Sequence, residues 1–175
     1  MAPANAQAGR SVAYTTGDTV VHPQHGVATV RGIASRGLGA NRTSFMELAF
    51  ASSSLKVLVP MDAVREVGLR PLSTKREAAA VLAVLAQPSD VSEVWSERTA
   101  SSTARVQSRE LDQASMVIRD LTRHAQRSGK PLSSTENAVL HTCLNSVASE
   151  LSLVLEISED DARDLILEQA RSTPE

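Results

Sequence analysis

The sequence predicts an α+β protein of two domains, a small β-barrel of about five strands followed by an all-α bundle of about five helices. Two observations support this prediction. Between Asp18 and Val67 the chain consists of short β-type runs separated by Gly, Asn and Ser, which is typical of a small barrel. After Pro71 the apolar residues recur with a helical period, and capping signals precede most of the apolar stripes.

The β-type runs are short and contain many β-branched residues, which pack well on a pleated surface. Pro23 and Gly26 favour a turn after the first run, because proline fixes φ and glycine accepts a positive φ. The glycine-containing stretch 37–41 separates the second run from the third, and residues 51–54 separate the third from the fourth. The five predicted strands are Thr19–His22, Val27–Ile33, Ser44–Phe50, Lys56–Val59 and Val64–Val67.

Five helices are predicted, each with apolar residues on one face. Their expected starts are marked by Thr74 with Glu77, Asp90 with Glu93, Ser133 with Glu136, and Ser158 with Asp161, while the stripe from Leu111 to Ala125 forms the third helix. Pro88 is expected to end the first helix, and Gly129 the third. Because the helices are amphipathic, we expect them to pack on one another.

Composition and charge narrow the class of protein. The sequence has no run of 18 apolar residues, so no membrane span is expected. Residues 1–10 show no signal-peptide pattern, and residues 1–15 are expected to be disordered. A cytoplasmic protein is therefore expected. Residues 1–130 carry 16 Lys/Arg against 11 Asp/Glu, whereas residues 131–175 carry 2 against 9. A protein that grips DNA alone usually has a clear basic excess, so any DNA contact is expected to depend on another anchor.

The sequence contains no pattern that predicts catalysis, a cofactor or a metal site. His22 and His25 lie at a turn without a Cys or carboxylate cluster, and a structural pair is the favoured interpretation. Cys143 lies on the apolar stripe of a helix, which indicates a buried thiol. The acidic run 159–161 fits the first turn of a helix, where negative charge suits the helix dipole. No phosphate-binding loop of the ATPase type is present.

Two stretches of the predicted barrel carry a family resemblance, GDTVVHPQHG at residues 17–26 and LKVLVP at 55–60. They resemble the CarD family of transcription regulators, whose barrel also occurs in transcription-repair coupling factors as the RNA-polymerase-interacting domain. The second stretch is similar to a later strand of that barrel. The segment 63–68 is similar to the strand that closes that barrel. Trp95-Ser96 and VIRDL at 117–121 resemble the helical half of the family.

The resemblance extends over about residues 16–165. It implies an SH3/Tudor-like barrel at 16–70 that interacts with RNA polymerase, and a helical domain at 71–175 that contacts DNA. It further implies a monomeric bacterial transcription regulator without enzymatic activity or cofactor, which binds the polymerase β subunit and contacts promoter DNA weakly, within the polymerase complex. The residues expected at these contacts are Arg36, Lys56 and Leu58 for the polymerase and Trp95, Arg98 and Arg105 for DNA.

The helix of Trp95 supports an exposed role for the ring. Its few apolar residues are scattered among Ser, Thr, Glu and Arg, so a large ring there is expected to face solvent and to serve recognition. The alternative is a core tryptophan. By resemblance, an exposed Trp95 would wedge into the minor groove at the upstream edge of the melted DNA bubble.

Two departures from the family pattern leave a second hypothesis open. After Trp95-Ser96 the family is typically basic and aromatic, but this chain reads ERTA at 97–100, and Leu58 stands where a basic residue is common. Each lost phosphate contact weakens DNA binding. The chain could therefore be a polymerase-binding adaptor or antagonist that has lost DNA contact. A third hypothesis, a small enzyme that uses the barrel–bundle cleft, has no supporting residues.

Overall fold

The computed structural model describes residues 14–23, 25–36, 43–50, 54–89, 91–108 and 110–172. The chain divides between Arg70 and Pro71 into two compact units. Among the described residues, the first unit contains a five-stranded antiparallel sheet and one short helix, and the second contains five longer helices. The predicted α+β fold class is thus confirmed. The predicted turn at 37–41, most of the turn at 51–54 and most of the predicted disordered segment lie outside the described residues.

The strands of the sheet are β1 (Thr19–His22), β2 (Gly26–Arg36), β3 (Thr43–Phe50), β4 (Lys56–Pro60) and β5 (Arg70–Pro71), and β5 spans the boundary between the two units. They lie in the order β4-β3-β2-β1-β5, so β4 and β5 are the two edges. The register of β2 against β3 shifts between Val30 and Gly32, which marks a β-bulge. One face of the sheet is buried against a core that includes Val20, Val30, Met46, Leu48 and Val59.

The prediction of a strand at 64–67 is wrong. Val64–Val67 is a single helical turn, α1, which ends at Gly68 with a φ of 79°. The cap N–H of Gly68 bonds to the carbonyls of Arg65 and Val64. In a strand, residues three apart would point to opposite faces, whereas one helical turn places both valines on the same face. Both valines pack against the core of the sheet.

The second unit consists of α2 (Lys75–Ala86), α3 (Trp95–Ser108), α4 (Leu111–Ser128), α5 (Ser134–Leu155) and α6 (Glu159–Arg171). The predicted capping boxes at Thr74 and Ser133 are both present, and the Ser158 hydroxyl accepts a hydrogen bond at the start of α6. Gly129 ends α4 with a φ of 62°. Of the pair predicted to start α3, Glu93 has its carboxylate 3.5 Å from Nδ1 of His124, and Asp90 lies outside the described residues.

The core of the second unit lies between α2, α4, α5 and α6. By length and composition α5 could cross a membrane, but a core helix passes the same test, and its residues Leu144, Val147 and Leu151 are buried against the other helices. Cys143 is buried there as predicted, and burial raises the pKa of its thiol to about 11. A thiol with this pKa stays protonated at neutral pH and is not a nucleophile.

Arg123 of α4 joins the ends of two other helices. Its buried guanidinium donates to the carbonyls of Leu85 (3.0 Å) and Gln87 at the end of α2. It also donates to the carbonyls of Ala170 (2.8 Å) and Ser172 (2.7 Å) at the end of α6. Carbonyls in the last turn of a helix lack intrahelical partners and carry partial negative charge. One cation therefore satisfies two helix ends.

Candidate functional site

Trp95 is the first residue of α3, and 52% of its surface is exposed. The buried residues of α3 are both polar, Arg98 and Ser102. The preceding residue, Val94, is also 52% exposed, so an apolar surface of two side chains lies at the start of this helix. The expectation that the ring faces solvent agrees with this position, and the alternative of a core tryptophan does not.

The polar end of the Trp95 ring is held by α5. Its Nε1 donates a hydrogen bond to Oγ of Ser133, at 3.2 Å. Ser133 is the N-cap of α5, and its hydroxyl also accepts from the backbone N–H of Glu136 and donates to Oε2 of Glu136, at 2.7 Å. A serine hydroxyl can donate one bond and accept two. The bond from Trp95 therefore completes the hydrogen-bonding capacity of Ser133.

Arg98 forms a buried ion pair with Glu136. Its Nε lies 2.6 Å from Oε1 of Glu136, and the two side chains are only 5% and 4% exposed. A further bond, 2.8 Å long, runs from Nη1 of Arg98 to the backbone carbonyl of Ser92, just before α3. Arg98 was predicted to contact DNA. Its position does not fit that role, because its charge is buried and already neutralised by a residue 38 positions later in the chain.

Burial raises the pKa of Glu136, but the hydrogen bonds from Ser133 and Arg98 and the charge of Arg98 together lower it by more, so this pKa lies below its ordinary value. Glu136 is therefore ionised at neutral pH. Its two carboxylate oxygens accept from two different helices, Oε1 from Arg98 of α3 and Oε2 from Ser133 at the start of α5. The carboxylate thereby fixes the start of α5 against α3.

Arg105 is partly available to an anion. Its side chain is 31% exposed, and its Nη1 lies 2.6 Å from Oδ2 of Asp120. Oδ1 of Asp120 accepts from Arg119 at 2.8 Å, so one carboxylate stands between two guanidinium groups. Near Trp95, Glu97 is exposed and accepts a bond of 2.7 Å from the Ser92 hydroxyl. The charge close to the ring is thus not strongly positive.

Two of the predicted polymerase contacts lie together on the edge strand β4. Lys56 and Leu58 share one face of that strand, where Leu58 is 43% exposed and lies opposite Glu47 of β3. Nζ of Lys56 lies 3.2 Å from Oε1 of the same Glu47. Arg36 is the last residue of β2, opposite Thr43, and its side chain lies outside the described part. From the register and strand spacing, Arg36 lies roughly 16 Å from Leu58.

Other residues considered from the sequence have structural surroundings. His22 and His25 are adjacent, with ring centroids 4.7 Å apart, and both rings contact Phe50. No group of three or more His, Cys, Asp or Glu side chains that could hold a metal ion occurs in the described ranges. The acidic run 159–161 forms the first turn of α6, as predicted.

Two comparisons with known proteins cover most of the chain. Residues 14–73 match the model of the CarD-like/TRCF RID domain, and residues 80–167 match the model of the CarD C-terminal domain. The chain is also similar to a protein of Bacillus subtilis (strain 168) described as "Putative transcription factor YdeB". The identity is 22% over 147 residues, which cover 83% of this chain and 95% of that protein.

The two family matches follow the two units of the structure. The five-stranded sheet agrees with the Tudor-like fold of the RNA-polymerase-interacting domain, and the match to the CarD C-terminal domain falls on the helices of the second unit. The chain therefore belongs to the CarD-like family of transcription factors, and its first unit is the RNA-polymerase-interacting domain of that family.

Proposed function

We propose that this protein is a bacterial transcription regulator that binds the β subunit of RNA polymerase through its sheet and stabilises the open promoter complex through its helical unit. The observation that carries the DNA part of the proposal is the half-exposed ring of Trp95 on a polar helix, with its polar end held by Ser133. Such a regulator acts in the cytoplasm, where the polymerase and the promoter are.

An exposed indole suits the edge of a melted bubble. Apolar side chains inserted into the minor groove fill the gap left when base pairs unstack, and at a bubble edge the unstacking has already occurred. A ring that stacks there binds the open state better than the closed state. Binding of this kind shifts the equilibrium towards the open complex without an energy source.

The sheet supplies the second contact. An edge strand can pair with a partner strand through its backbone, and exposed side chains on that edge then determine which partner fits. β4 is such an edge, and its exposed Leu58 adds an apolar contact beside Lys56. Attachment to the polymerase raises the local concentration of the helical unit at the promoter, so weak DNA contacts suffice.

Replacement of Leu58 with aspartate is expected to weaken binding of the full-length protein to a polymerase β-subunit fragment by about tenfold, as for loss of one apolar contact in an interface. Leu153→Asp is the matched control, because Leu153 is similarly exposed but belongs to α5. Affinities are measured by calorimetric titration. Equal affinity of Leu58→Asp and the wild type would remove β4 from the interface.

A second candidate function is an adaptor or antagonist that binds polymerase without contacting DNA. The observation that favours it is the charge around Trp95, where Arg98 is buried, Arg105 is paired with Asp120 and Glu97 is exposed. In this hypothesis the sheet keeps its role and the ring has none at the promoter. The two candidates differ in whether the lifetime of the open complex depends on Trp95.

Free duplex DNA is expected to bind this protein with a Kd above about 1 μM at physiological salt, because Arg98 and Arg105, the two cations predicted to contact DNA, are both paired with carboxylates. The plot of log K against log salt should have a slope no steeper than about −2, which corresponds to two phosphate contacts. Fluorescence anisotropy of labelled DNA at several salt concentrations measures both quantities. Submicromolar binding or a steeper slope would mean that more cations of the protein contact DNA phosphates than this prediction assumes.

A further inference from the structure

We propose that Arg98, Glu136 and Ser133 form a hydrogen-bonded relay that fixes the orientation of the Trp95 ring, which makes them positioning residues for this ring. The proposal rests on the proposed function of Trp95 for its consequence at the promoter. The relay itself is a property of the free protein, so it can be tested without polymerase or DNA.

The relay acts at two points at the start of α3. The indole of Trp95 is held through its Nε1, which donates to Ser133, and Ser133 in turn donates to Glu136. The segment that leads into α3 is held through Arg98, which donates to the carbonyl of Ser92, three residues before Trp95. The Arg98–Glu136 ion pair connects the two points.

The charges of the relay strengthen the bond to the indole. Hydrogen bonds in a chain polarise one another, and a hydroxyl that donates to a carboxylate becomes a better acceptor. Oγ of Ser133 donates to the ionised Glu136, so it accepts the N–H of Trp95 more strongly than a solvated serine would. The buried guanidinium of Arg98 keeps that carboxylate in place.

Two other caps in this unit show what an ordinary cap looks like. Thr74 accepts from the N–H of Glu77, and Ser158 accepts from the N–H of Asp161, in exposed positions. The carboxylate of the Ser133 box is instead buried, and its serine accepts a further bond from Trp95. An ordinary cap requires neither feature, whereas a relay that orients a ring requires both.

An oriented ring has an advantage in binding. A half-exposed side chain that rotates freely loses that freedom when it enters a binding site, and this loss opposes binding. The relay restricts the ring in the free protein, so the loss occurs during folding. A net hydrogen bond of this kind corresponds to a factor of about five in the equilibrium between the held and the released indole.

Time-resolved fluorescence anisotropy tests the relay directly, because Trp95 is the only tryptophan in the chain. In the full-length wild type we expect a small amplitude of fast local rotation. Ser133→Ala should increase that amplitude, and Glu136→Gln should increase it to a lesser degree. Ser133→Thr keeps the hydroxyl and should show the small amplitude of the wild type. Ser158→Ala is the matched control, since it removes a cap of the same unit that does not contact Trp95.

Thermal melting of each variant confirms that the helical unit is folded before anisotropy is compared. Free rotation of the indole in the wild type, or equal amplitudes in Ser133→Ala and Ser158→Ala, would overturn the relay.

Ser133→Ala should also shorten the open-complex lifetime by up to about fivefold, the factor for loss of the held conformer. If the anisotropy responds as expected but Trp95→Ala leaves that lifetime unchanged, the relay stands and the proposed function fails.

Discussion

Replacing Glu136 with alanine is expected to lower the free energy of unfolding of the helical unit by about 3–5 kcal/mol. In the described part of the chain, Arg98 forms an ion pair only with Glu136. The change removes this partner and leaves the guanidinium of Arg98 buried, and an unpaired buried charge is strongly destabilising. Urea denaturation followed by circular dichroism measures the effect. A loss below about 1 kcal/mol would mean that water replaces the carboxylate without difficulty.

Two control variants separate the effect of the buried, unpaired Arg98 charge from other effects of the substitution. Lys75→Ala breaks an exposed ion pair, whose atoms lie 3.6 Å apart, and should change stability little. The double variant Arg98→Met with Glu136→Met removes both charges and should be more stable than Glu136→Ala.

The stability should also depend on pH, because folding lowers the pKa of Glu136. The contribution of Glu136 to the free energy of unfolding is present at neutral pH. It is lost as the pH falls below the ordinary pKa of about 4.3 and through the lower pKa of the folded protein.

Replacing Trp95 with alanine is expected to shorten the lifetime of the open promoter complex by about tenfold, in line with loss of an aromatic contact at an interface. The same change should cost at most about 2 kcal/mol of stability, because the ring is half exposed and makes one hydrogen bond through Nε1. Truncation of a core tryptophan would cost about 3–5 kcal/mol. Competitor-challenged decay of the open complex and thermal melting measure the two effects.

Val94→Ala is the matched control for Trp95, since Val94 is equally exposed at the preceding position. It should leave both the decay and the melting temperature almost unchanged. Unchanged decay in Trp95→Ala would favour the adaptor that does not contact DNA. A melting temperature lowered as far as for a core truncation would assign the ring to the fold.

Local signals made most of the fold predictable. A capping box depends on two residues three positions apart, so Thr74 with Glu77 and Ser133 with Glu136 could be located before any tertiary contact was known. The positive φ of Gly129 ends a helix for an equally local reason. The strands β1 to β4 lie within three residues of their predicted ends, because their β-branched runs and flanking turn residues are adjacent in sequence.

The parts that the sequence did not reveal depend on distant partners. Arg98 was predicted as a DNA contact because its charge follows Trp95, but its partner Glu136 comes 38 residues later. Nothing near Arg98 in the sequence indicates that pairing. Val64 and Val67 were assigned to a strand from their β-branched side chains, although their spacing of three places them on one face of a helical turn.

Arg123 also sets an order of events during synthesis. Its guanidinium needs carbonyls from both α2 and α6, the first and last helices of their unit, and burying it without them is costly. A nascent chain that has not reached Ser172 cannot complete this set. The core of the sheet lies between Tyr14 and Leu69, so its residues are all made about 5–20 seconds earlier at ordinary rates of translation. The polymerase-interacting unit therefore has time to fold on the ribosome before the helical unit can close.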